Sequence, residues 1–123
     1  MKRCPLVFLA VLVLLTATAQ ANITSKFGIS IQSCVVNQGS NGATNGVNVV
    51  YTNTHPSPAT EVDFLVGYRG HHYILVDHGT FSQGAQINHN LTNDLVGYAW
   101  SGPTPNRCTV NRAYLANGRT LGP

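Results

Sequence analysis

Residues Arg69 to Gly79 read RGHHYILVDHG, which places three histidines and an aspartate within eight positions. Such a set could hold a transition metal through imidazole nitrogens, or pair a histidine base with an orienting carboxylate. Spacing decides between these and a plain strand. Alternation at period two puts His72, Ile74, Val76 and His78 on one face and Tyr73, Leu75 and Asp77 on the other. At about 3.3 Å per residue, His72 and His78 stand roughly 20 Å apart, whereas a zinc–imidazole bond is about 2.1 Å. His72 and Asp77 point to opposite faces, so they make no base and orienter. The segment reads as the second half of a β-hairpin with His71 in its turn, and no metal, cofactor or catalytic residue is assigned to it. A site completed across strands by His55 or His89 is the one remaining route to a metal-binding protein.

Other chemistries lack their parts. A blue-copper centre needs a cysteine, two histidines and usually an axial methionine, but no methionine follows Met1 and no histidine follows Cys108. The nucleophile elbow G-x-S-x-G is absent, since GTFSQG neither matches it nor leads into a helix. Glu61 and Asp63 share one strand, which is a poor start for a glycosidase pair. The chain is therefore expected not to be an enzyme.

What must position these side chains begins at the N-terminus. Lys2 and Arg3 precede an apolar run from Pro5 to Leu15, closed by Ala19-Gln20-Ala21. This is the pattern of a secretory signal peptide over residues 1–21, with a domain over 22–123. The apolar run is shorter than the roughly 20 residues that span a bilayer, so no membrane association is expected after cleavage. Cys4 precedes the run, the wrong side for a lipid anchor. Beyond Ala21 the cations Lys26, Arg69, Arg107, Arg112 and Arg119 face Glu61, Asp63, Asp77 and Asp94, one cation in excess. They are scattered, which excludes a nucleic-acid footprint. Two cysteines remain, Cys34 and Cys108, and in an oxidising compartment they are expected to pair. Closing a loop of about 75 residues is worth roughly 4 kcal/mol on the chain-entropy model.

Roughly 100 residues support one modest core. No segment carries a helical period, whereas period-two alternation recurs between turn signals. Strands are predicted at Phe27 to Ile31, Val47 to Tyr51, Thr60 to Arg69, His72 to Asp77, Gln86 to Leu91, Leu95 to Trp100 and Cys108 to Leu115. Val62, Phe64, Val66 and Tyr68 share a face of the third, which reads as central. Asn117-Gly118 marks a hairpin that returns Arg119 to Leu121. The fold class is all-β: a single antiparallel Ig-like or fibronectin-like β-sandwich of about seven strands. Trp100 lies eight residues before Cys108, unlike the tryptophan of antibody domains, so the likeness is one of architecture.

The segment VDFLVGY through ILVDHGTFSQGAQINH, Val62 to His89, resembles a pattern in small secreted bacterial β-sandwich proteins of unknown function: a hairpin, an aspartate, Gly-x-Phe, a Gly turn and an Ile-x-His strand. The resemblance implies fold and export. It makes Phe81 a buried anchor and Gly84 a turn residue, and it puts Ile87 and His89 on one face.

Two function classes fit. One is a monomeric extracellular or periplasmic binding module that meets a protein or glycan through loops 37–46 and 101–107. The other is a structural subunit of a surface assembly, disfavoured because the chain ends GRTLGP instead of in a zipper strand. Asn22 and Asn90 head glycosylation triplets. Intact-mass spectrometry of exported protein should give Asn22 as the first residue, and material retaining Met1 to Ala21 would contradict the signal-peptide reading.

Overall fold

The computed structural model describes residues 22–38, 44–68, 71–92 and 107–123. The signal peptide expected over residues 1–21, the strand expected at Leu95 to Trp100 and most of the two long loops lie outside them. Among the described residues there is no helix. The elements are β1 (Asn22–Thr24), β2 (Ile29–Gln38), β3 (Thr44–Asn53), β4 (Ala59–Tyr68), β5 (His71–Phe81), β6 (Gln86–Leu91), β7 (Arg107–Leu115) and β8 (Thr120–Leu121).

One sheet runs β1-β7-β4-β5, with β8 also on β7, and the other runs β2-β3-β6. β4 is central as its pattern predicts, with Val62, Phe64 and Val66 fully buried. The sheets pack face to face through these residues and their counterparts Val47, Val49 and Tyr51 on β3. Tyr51 meets Phe64 and Phe81 edge-on at 5.0 and 5.8 Å between ring centres. Burying side chains of this size is worth about 1.5–3 kcal/mol each.

Two expectations are corrected. The two sheets are not wholly antiparallel: β1, a strand not expected, runs parallel to β7, pairing Ile23 with Cys108. Phe27 is not a strand residue. With Gly28 it forms a turn at φ 57° and 74°, and it is the one non-glycine residue with positive φ among those described. That turn carries the chain from the β1 sheet to the β2 sheet, and a bulky residue there costs about 1 kcal/mol or more. The Asn117-Gly118 hairpin forms with three loop residues, closed by Leu115 N–H donating to Arg119 O at 2.8 Å.

Asn53 fixes the other crossing between sheets. Fully buried at the end of β3, its amide donates to Phe81 O at 2.7 Å and Ser57 O at 3.2 Å and accepts from His55 N–H at 2.9 Å. Its backbone carbonyl accepts from Gly84 N–H at 2.7 Å. The β5–β6 turn is thereby tied to β3, which sets where β6 begins.

Cys34 and Cys108 form a disulfide joining β2 to β7, and so one sheet to the other, with Cα atoms 6.6 Å apart. Cys34→Ser should lower unfolding free energy by about 2–5 kcal/mol in urea titrations. A wild-type midpoint indifferent to reductant would contradict that.

Candidate functional site

β5 separates its histidines from its aspartate as alternation requires. His72 and His78 are exposed on the outer face, while Leu75 and Asp77 face inward. His78 Nδ1 lies 3.4 Å from Glu61 Oε1 on β4, its side chain 73% exposed. His55 Nδ1 accepts from Ser57 N–H in the turn after β3. Among the described residues no three metal-ligating side chains converge.

Asp77 finds its histidine across the sandwich. Among the described strands β5 ends the larger sheet and β6 ends the smaller, and their inward faces meet at a seam. On β6 the inward positions are Ile87, His89 and Leu91, since β6 pairs with β3 at Tyr51, Val49 and Val47. His89 Nδ1 lies 2.8 and 2.9 Å from the two oxygens of Asp77, and Tyr51 donates its phenol proton to Asp77 Oδ2 at 2.8 Å. Asp77 is only 5% exposed, whereas the His89 side chain is 48% exposed. Burial first, then the hydrogen bond to Asp77 and its charge, push the Tyr51 phenol well above its ordinary range. Bonding to the carboxylate puts the proton of neutral His89 on Nδ1 and leaves the Nε2 lone pair outward. The geometry is that of an oriented imidazole, with no described nucleophile bonded to it.

Gly79 makes room for this arrangement. A Cβ there would stand 2.6 Å from the ring of Phe81, which packs edge-on against His89 at 6.1 Å. The spacing Asp77-x-Gly79-x-Phe81 thus has a steric reason. Sequence reasoning set Asp77 against His72 and kept His55 or His89 as residues that could complete a site across strands; His89 does meet Asp77, and it does so from the opposite sheet. The missed signal was parity, a histidine and an aspartate each on the apolar face of its own strand.

A second cluster lies on the outer face of the larger sheet. Asp63 is paired in register with Arg112, and Glu61 with Tyr114. Asp63 is pushed up to about 7, by burial first and then by its hydrogen bond to Glu61 and that residue's charge, against the pull of Arg112. Arg112 Nη1 donates to the Tyr114 hydroxyl at 3.2 Å, while Arg112 Nε and Asp63 Oδ1 are buried without a described partner.

The outer face of β2-β3-β6 is different again. Asn48 donates to Asn88 at 2.8 Å and Asn37 to Asn90, and Thr52 donates to Gln32 at 3.0 Å. Its outward positions are amides, hydroxyls and the valines Val35 and Val50, and none of the described ones is charged. The loops expected to bind ligand, apart from their ends, lie outside the described residues.

No protein-family model, curated protein or solved structure matches this chain. Its own chemistry therefore carries the functional reading.

Removing the Asp77 carboxylate would strand a buried phenol. Asp77→Ala should cost about 1–3 kcal/mol, and Tyr51→Phe added to it should cost much less than Tyr51→Phe alone. Strict additivity in that double-mutant cycle would mean the two residues are not coupled. For Asp63 the raised value means that the folded state holds a proton the unfolded chain releases from its ordinary 3.8 upward. Its stabilising contribution is complete below that value and lost as pH rises through about 7. Urea titrations should show wild type losing stability relative to Asp63→Asn across that window, and parallel pH profiles would contradict it.

Proposed function

We infer that this chain is an exported, non-enzymatic binding module on an Ig-like sandwich, and that its ligand is a neutral, hydroxyl-rich glycan laid across the outer face of β2-β3-β6. The carrying observation is the chemistry of that face. Each amide offers a donor and an acceptor side by side, the pattern that adjacent sugar hydroxyls complement. With no charge to desolvate, such a face binds a neutral ligand without the penalty that buried ions impose. The Asn48–Asn88 and Thr52–Gln32 bonds hold these groups in fixed positions before any ligand arrives, which lowers the ordering cost of binding.

Several further features support the reading. The three-stranded sheet packed on a larger one, with β8 returning to β7, suits an Ig-like or fibronectin-like architecture. The Cys34–Cys108 bridge suits an oxidising compartment, as does the signal-peptide pattern of residues 1–21. Among the described residues no helix is long and apolar enough to cross a membrane. The outward imidazole of His89 lies at the seam and not on this face, and no described nucleophile accompanies it.

Mature protein should be retained by an insoluble neutral polysaccharide and released by its soluble fragments, equally at low and high salt. Asn48→Ala and Asn88→Ala should each weaken binding about fivefold, the worth of roughly 1 kcal/mol of hydrogen bonding. Absence of binding across a panel of neutral polysaccharides would overturn the glycan reading. Salt-sensitive capture of an acidic polymer would point to the cations instead.

A further inference from the structure

We propose that β1 is exchanged between two copies of this chain, each lending Asn22–Thr24 to β7 of the other. The inference goes beyond glycan binding and does not depend on it.

β1 is lightly held. It contributes three register pairs to β7, Asn22 with Arg107, Ile23 with Cys108 and Thr24 with Thr109, and Ile23 is only partly buried against the core. An open cleft of about 510 Å³ lies beside it, lined by Ile23 and Phe27 on one side and by Leu65, Thr109 and Val110 on the other. What keeps β1 on its own β7 is the turn that follows. Within Ser25 to Gly28 the chain leaves one sheet and enters the other, and it does so only by placing Phe27 at φ 57° and Gly28 at φ 74°. Phe27 has no intrinsic preference for that conformation. Extending the turn would relieve Phe27 and make β1 and β2 one continuous segment, at the expense of the bond from Ile31 N–H to Ser25 Oγ and the Lys26–Ile29 bridge.

A second copy is the occupant that fits the vacated place. Its own Asn22–Thr24 restores every contact in the same parallel register, with Ile23 opposite Cys108. Further along, β8 already covers β7 at Ala113 and Tyr114, so the position left on that edge is short. Charge does not oppose the encounter, since beyond Ala21 the chain has one cation in excess. Strained, short connections of this kind favour domain swapping.

The test is size-exclusion chromatography with light scattering on mature protein loaded over a range of concentrations. Wild type should yield a dimer whose fraction rises with concentration, because exchange needs two chains and β1 opens readily. Phe27→Gly, which relieves the turn, should reduce the dimer fraction about fivefold or more. Gly28→Ala should raise it, because a Cβ there sits at φ 74° and 3.1 Å from the His55 Cβ. Wild type that remains monomeric throughout, or an equal dimer fraction in Phe27→Gly, would each overturn the exchange. Should Gly28→Ala fail to fold, wild type against Phe27→Gly decides the matter.

Discussion

Burying the Asp77 carboxylate between two sheets obliges much of its surroundings. A carboxylate out of water costs several kcal/mol unless its oxygens are occupied. Here the phenol of Tyr51 and the imidazole of His89 occupy them, each from the opposite sheet. Tyr51 must therefore stand near the end of β3, the middle strand of its sheet, where its ring also meets Phe64 and Phe81. His89 must interrupt an otherwise apolar face of β6. Glycine at 79 leaves room for the Phe81 ring, which packs against His89.

The same bond pattern organises the sandwich as a whole. Cys34–Cys108 fastens the sheets where β2 faces β7, and Asp77 with Tyr51 and His89 fastens them where β5 faces β6. Between these two ties the clustered side chains, Val49, Val62, Phe64 and Val66 among them, are apolar and closely packed. Asn53 supports the second tie indirectly. By bonding the carbonyl of Phe81 and the turn before β6, it sets the start of the strand that carries His89.

Much of this was legible from alternation alone. The faces of β4, β5 and β6 follow from period two, and the bounds of β6 match the run Gln86 to Leu91. The disulfide followed from the count of cysteines beyond Ala21. β1 escaped because Asn-Ile-Thr is too short for any period to show, and its parallel partner lies at the far end of the chain. Phe27 misled because Phe27, Ile29 and Ile31 alternate perfectly, while the backbone reverses at Phe27 and Gly28. The Asp77–His89 contact was hidden for a different reason. Parity assigns each residue a face but says nothing of which faces come together, and that is a property of the sheet order.

The position of β7 between β1 and β4 has a kinetic side. During synthesis β4 and β5 can close as a hairpin early, since their partners are neighbours in sequence. The other edge of β4 stays open until β7 is made, and β1, synthesised earliest of all, waits for that same strand. Such pairings between distant segments are slow to form and leave unpaired edges exposed meanwhile. Completion of the larger sheet is thus a late event in folding, governed by the arrival of a single strand.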